Sequence, residues 1–158
     1  MIKEVHGDLL TCGADILCHQ VNYHGVMGGG VAYAIATKLF TPDDYKAYQT
    51  LCLQQREQLV GSVQYIQSSI DPRYTIANLF SQDERLAVMG SVSITDYSAM
   101  ERGLLRLEQY AYTAKKSVAV PGYIGCGIAG GDWTRVKDIL RRVFGEDSDV
   151  SITIVYKD

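Results

Sequence analysis

Several things are scarce in this chain. Its 158 residues hold three prolines, Pro42, Pro72 and Pro121, too few for a proline-rich linker or an extended recognition segment. No apolar run approaches the ~20 residues needed to span a bilayer, so no membrane partner is expected. The four cysteines, Cys12, Cys18, Cys52 and Cys126, include no Cys-x-x-Cys pair. Structural zinc sites use close ligand pairs, so neither a metal nor a cofactor is assigned. Scattered thiols and the lack of a basic-then-apolar leader point to a cytoplasmic protein. Excess positive charge is lacking too: 15 Lys and Arg against 18 Asp and Glu leave a net charge of −3. That argues against general nucleic-acid binding, whereas a small nucleotide needs only a local site. Repeats and low-complexity segments are absent, and the chain reads as one domain over residues 1–158.

What is present is an alternation of strands and helices. Strands are expected at 2–6, 15–21, 63–67, 74–80, 117–120 and 151–156, several of them apolar on both faces. Thr41-Pro42-Asp43-Asp44 supplies an N-cap, a first-turn proline and two acids, opening a helix expected to run to about Leu59. Thr95 or Asp96 can cap a helix with Tyr97, Met100, Leu104, Leu107 and Ala111 on one stripe. Asp132 can cap a last helix carrying Trp133, Val136, Leu140 and Val143, ended by Gly145. A further helix is expected from about Gly29 to Phe40. This alternation predicts an α/β fold of three αβα layers around a mixed, mostly parallel sheet of about six strands. In such sheets ligands bind beyond the carboxyl ends of the strands.

Two glycine-rich loops fit that place. The first runs from Asn22 to Gly30 and leads through Gly28-Gly29-Gly30 into a helix with no capping side chain. The first turn of a helix has four N–H groups without partners and an electropositive end. Glycines there leave the donors bare for an anion. The second loop, Gly122 to Trp133, contains Gly125-Cys126-Gly127-Ile128-Ala129-Gly130. This is formally Gly-x-Gly-x-x-Gly, but only one strand follows it, and the acid a dinucleotide site needs ~20 residues on is at best Asp147 or Asp149, which precede the final strand. Neither loop has the Gly-Lys-Ser/Thr of a P-loop. With no Lys or Arg in either, a diphosphate would be held by backbone N–H groups.

The ordered set Gly7-Asp8-Leu9, Asp15-Ile16-Leu17, Asn22, Gly28 to Ala36, Asn78-Leu79-Phe80-Ser81-Gln82 and Pro121 to Gly127 resembles the macro domain family over nearly the whole chain. The resemblance implies an αβα domain that binds ADP-ribose. Asp8 would accept from the adenine amino group, with the Leu9 N–H beside it. Asn22 would bond the distal ribose. Gly28, Gly29, Gly30 and Val31 on one side, and Gly125, Cys126, Gly127, Ile128, Ala129 and Gly130 on the other, would wrap the diphosphate. Tyr156 would stack on adenine.

The resemblance also bears on chemistry. Branches that deacylate or de-ADP-ribosylate proteins carry an Asp after Gly-Gly-Val, where this chain has Ala32. Another hydrolase branch uses a strand Lys and an Asp after the Gly-Cys-Gly-hydrophobic element; the strand at 74–80 has no Lys, and the Asp position is Ala129. The branch that hydrolyses ADP-ribose 1″-phosphate reads His-x-x-Asn, then Gly-Gly-Gly-hydrophobic-Ala-Tyr, which His19-Gln20-Val21-Asn22 and Gly28 to Tyr33 match. His19 would then be the acid/base group, with His24 a second histidine and Asp83 or Asp132 the acidic partner. A binding module for ADP-ribose, free or on modified macromolecules, and an ADP-ribosyl hydrolase acting on protein or nucleic acid remain the alternatives.

Overall fold

The computed structural model describes residues 1–158. Six strands form one sheet: β1 (Ile2–Gly7), β2 (Ile16–Val21), β3 (Val63–Gln67), β4 (Thr75–Phe80), β5 (Val118–Pro121) and β6 (Ile152–Lys157). Their order is β1-β6-β5-β2-β4-β3, parallel throughout except for the antiparallel β3–β4 pair. Helices α1 (Gly30–Lys38), α2 (Pro42–Gln55), α3 (Arg85–Val88), α4 (Tyr97–Ala114) and α5 (Trp133–Phe144) connect them.

Strand alternation sends side chains to two cores. On one face Ile16, Cys18, Ala77, Leu79, Val120 and Ile154 meet the apolar stripes of α4 and α5. On the other, Leu17, Val21, Ile76, Phe80 and Val155 meet Ile35, Tyr48 and Cys52 from α1 and α2. Both faces are covered, which is why the strands read as apolar runs rather than alternating ones.

The helix ends follow their sequence signals. Thr41 and Asp44 form a reciprocal capping box ahead of Pro42, Asp96 caps α4, and Asp132 caps α5 through the Thr134 N–H. Two details differ from expectation. The helix expected to reach Leu59 stops at Gln55, because Arg56 takes a left-handed φ of 50° and a 3₁₀ turn covers 56–59. No Gly or Pro marks that break. The short helix α3 has no periodic stripe to announce it.

The topology contains a switch point. From β2 the chain passes through α1 and α2 toward β3 and β4, while from β5 it passes through α5 to β6 on the other side. The crevice outside the carboxyl ends of β2 and β5 is where doubly wound sheets place ligands. The crevice opens because these neighbours part early. β2 pairs with β4 along its whole length, from Ile16↔Thr75 to Val21↔Phe80, but with β5 only at Ile16↔Val118 and Leu17↔Ala119.

Helix α4 packs closely on β4. A Cβ at Gly103 would overlap Leu79 Cδ1, which is itself buried. Gly103→Ala should therefore lose about 1–3 kcal/mol to overpacking, despite the better helix propensity of alanine. Urea denaturation checks the sign.

Candidate functional site

Beyond Leu17, β2 has no partner on its β5 side, and His19, Gln20 and Val21 form the floor of a cleft of about 460 Å³. Its walls are the β2–α1 loop (Asn22, Val26 to Gly29), the start of α1 (Gly30 to Ala32) and the β5–α5 loop (Tyr123 to Gly125, Gly127 to Ala129). A second hollow of about 510 Å³ continues it toward β1, lined by Asp8, Leu9, Val155 and Lys157. Gly30, Val31, Pro121 and Gly122 line both, so the two form one elongated groove.

The first loop is braced from one side and bare on the other. Tyr48 Oη donates to the Asn22 carbonyl at 2.7 Å, the Asn22 side-chain amide donates to Val26 O at 2.8 Å, and the Met27 N–H donates to Tyr45 Oη at 2.9 Å. Gln49 holds Gly25 O at 3.2 Å. All three anchoring residues lie on α2. Past Met27 the bonding stops: the N–H groups of Gly28, Gly29, Gly30, Val31 and Ala32 have no acceptor in the protein, and Gly29 caps α1 without a side-chain bond. Five successive free donors at a helix N-terminus form an anion cradle. Across the cleft the N–H groups of Tyr123, Gly125, Gly127, Ile128 and Ala129 are also without protein acceptors.

The second loop is held from beneath. Ser81 Oγ donates to Gln20 Oε1 at 2.6 Å, the Gln20 amide donates to Thr95 Oγ1 at 3.2 Å, and Thr95 donates to Gly125 O at 2.7 Å. Gly125 has a φ of +75°, and a Cβ there would sit 2.9 Å from Gln20 Oε1. Only glycine fits so close an approach.

His19 is the one histidine in the cleft. It shares the α1/α2 face of β2 with Leu17 and Val21 and is 1% exposed. Its Nε2 is 2.6 Å from Asn78 Oδ1 on β4, while Nδ1 is buried without a partner. Burial depresses its pKa to about 4, more than the Asn78 bond raises it, so the ring is neutral near pH 7.

The other expected residues divide. Asp8, Leu9, Asn22, Gly28 to Val31, Gly125 and Gly127 to Ala129 line the groove. Asp8 also caps the 3₁₀ turn at Leu9–Thr11, accepting from the Leu10 N–H. Asn22 spends its Oδ1 on the His24 N–H and on Tyr48, leaving one amide hydrogen free. Six residues stand away from the lining. Tyr156 falls one residue out of phase with Val155, so it faces α5, packs edge-on to Trp133 and donates to Glu4 at 2.6 Å. From there it does not line the hollow beside Asp8. Asp132 is the α5 cap and does not line the groove. Asp83 is gripped by two Arg85 nitrogens, Nε and Nη2, with its pKa held low, and His24 pairs with Glu84 at 2.9 Å outside the cleft. The Cys126 thiol turns to Ile124 O, its pKa pushed up to about 11 by burial. Gly130 makes a turn against Val92 O.

Gln20, Gln82, Pro121 and Tyr123, which the sequence offers only as members of motifs and with no role of their own, also line the cleft, as does Ile94. A polar residue inside an apolar strand run was the available signal for Gln20, and equally for Asn78, since buried polar groups require partners. Nothing in the sequence marks the left-handed φ of 64° at Tyr123.

No protein-family model matches the chain. An ADP-ribose 1″-phosphate phosphatase of Candida albicans is 30% identical over 151 residues, covering 89% of this chain and 92% of its own length. A solved macrodomain of DarG from Mycobacterium tuberculosis superposes with a TM-score of 0.80 at 26% identity, over 99% of this chain and 97% of that one. The chain belongs to the macro domain family. This macro domain is also 28% identical over 155 residues to a DNA ADP-ribosyl transferase–DNA ADP-ribosyl glycohydrolase fusion protein of Thermosipho africanus. That match covers 87% of the chain but only 37% of the fusion protein.

The buried neutral His19 makes acid stability predictable. Well above pH 6.5 neither folded nor unfolded ring is protonated. As pH falls from 6.5 to about 4, the unfolded ring takes a proton that the folded one refuses, and stability is lost. Below that both are protonated and the loss levels off at about 3 kcal/mol. Urea midpoints of wild type against His19→Gln, measured from pH 7 to 4, should differ by this step.

Proposed function

We propose that this macro domain binds ADP-ribose along the groove and hydrolyses ADP-ribose 1″-phosphate to ADP-ribose and phosphate, without a metal. The observation that carries the reading is His19 in the cleft floor, with one nitrogen unpartnered, between two loops whose N–H groups are free. Asp8 and Leu9 would receive the adenine end. Gly28 to Ala32 and the loop at Gly125 to Ala129 would hold the phosphates through backbone donors. The distal ribose and its phosphate would lie over Asn22 and His19. The water oxygen bonds to phosphorus as the bond from phosphorus to the ribose C1″ oxygen breaks. His19 Nδ1 takes the water proton, and the leaving oxygen gains a proton from solvent. Backbone donors stabilise the phosphoryl oxygens as charge shifts, which is most of what phosphoryl transfer asks of a protein. A bound dianion beside His19 would favour the charged ring and raise its basicity toward neutral pH. Four free cysteines fit a cytoplasmic setting.

The resemblance to the DarG macrodomain supports a second reading, removal of ADP-ribose from modified nucleic acid or protein. Against it stand Ala32, Ala129 and a β4 strand without lysine. A binding module without turnover would use the same groove.

Purified protein incubated with ADP-ribose 1″-phosphate should release phosphate, unchanged by EDTA, and His19→Ala should slow it by about 10²-fold or more. No release above the His19→Ala background rejects the phosphatase. Loss of label from ADP-ribosylated DNA or protein would favour the hydrolase instead, and calorimetric binding of ADP-ribose without turnover would leave the binding module.

The cradle is tested separately. A Cβ at Gly29 meets nothing in the protein within 4 Å. Gly29→Val should therefore leave the melting temperature nearly unchanged, while calorimetry shows ADP-ribose bound about tenfold more weakly, roughly 1.4 kcal/mol.

A further inference from the structure

We propose that Asn78 and Gln64 are positioning residues that fix the tautomer of His19, with the polarity of the chain set by a helix carbonyl. The inference rests on the phosphatase reading only for its catalytic consequence. Four groups lie in line across the sheet. Gln64 Nε2 is 3.3 Å from Ala47 O in α2, Gln64 Oε1 is 3.1 Å from Asn78 Nδ2, and Asn78 Oδ1 is 2.6 Å from His19 Nε2. The strand registers make this alignment, because Gln64 pairs with Asn78 across β3–β4 and His19 with Asn78 across β2–β4.

A carbonyl oxygen can only accept. Ala47 O therefore requires the NH₂ end of Gln64, which turns Gln64 Oε1 toward β4. That oxygen requires the NH₂ end of Asn78, which turns Asn78 Oδ1 toward β2. His19 must then answer with Nε2–H. In a neutral imidazole this leaves the lone pair on Nδ1, the atom that has no partner in the protein. The opposite tautomer would oppose two lone pairs at 2.6 Å in a buried site, where an unsatisfied contact is most costly.

The consequence is chemical. Nδ1 is left as the ring's acceptor: buried in this structure, it would take a proton or a hydrogen bond only from a water or substrate group that reaches the cleft floor beside it, and it cannot act as a donor until the ring is charged. No charged side chain hydrogen-bonds or pairs with His19: burial holds its ring neutral and the Asn78 bond opposes that. The amide chain thus orients the ring without supplying charge, as a carboxylate in its place would.

Nitrogen-15 NMR of the histidine side chains in the wild-type protein reads the tautomer directly, with no substrate present. The expected result is an unprotonated Nδ1 and a protonated Nε2 at pH 7. Gln64→Leu, on an edge strand and half-buried, removes the polarity without touching His19 and should give a mixture of tautomers. With ADP-ribose 1″-phosphate it should lower kcat roughly 10–100-fold at near-constant KM, by analogy with the loss when the outer partner of a metal-bound imidazole is removed. Asn78→Asp should move the imidazole titration and the pH–rate profile to higher pH, because the carboxylate favours the charged ring. A protonated Nδ1 in wild type overturns the proposal, as does a Gln64→Leu variant with the wild-type tautomer. A wild-type protein with the expected tautomer but no phosphate release supports the positioning chain and defeats the phosphatase reading.

Discussion

The site depends on one feature of the sheet, the parting of β2 from β5 after Leu17 and Ala119. Had the ladder continued, His19 and Gln20 would lie under closed sheet, and the two glycine loops would have no space between them. Because it stops, the last three residues of β2 become the floor of a cleft while their other edge remains bonded to β4. The floor is therefore both open to a ligand and rigidly held. The topology places this gap at the switch point, where the chain leaves in opposite directions and the loops splay apart.

The loops divide their labour in the same way. Tyr45, Tyr48 and Gln49 on α2 satisfy the first half of the β2–α1 loop, and the second half keeps its N–H groups free. Gln20, Ser81 and Thr95 do the corresponding work under Gly125. Donors fixed before a ligand arrives need little reorganisation on binding, which is where a site with no lysine or arginine in its loops can gain affinity.

The sequence exposed the parts of this arrangement that are local. Helix starts at Thr41, Asp96 and Asp132 follow from capping chemistry within a few residues, and the structure has them. The uncapped glycine entrance to α1 was equally legible, since it is the absence of a capping side chain over consecutive residues. The resemblance implies that Tyr156 stacks on adenine. Its face depends on strand phase, and a single residue decides between the groove and the Trp133 cluster. Asp83 and Asp132 were acids near suggestive motifs. Arg85 and the Thr134 N–H occupy them in the fold.

By itself the sequence determined the α/β alternation, both glycine loops and the macro domain resemblance, because each is carried by spacing along the chain. Tertiary structure alone decided which side chains share the cleft. It brought Gln64, Asn78 and His19 into line from three strands, and only that register gives the histidine one occupied and one free nitrogen. Hydrogen bonds between residues 14 and 59 positions apart leave no periodic trace in a sequence. They arise only when the sheet sets those residues side by side.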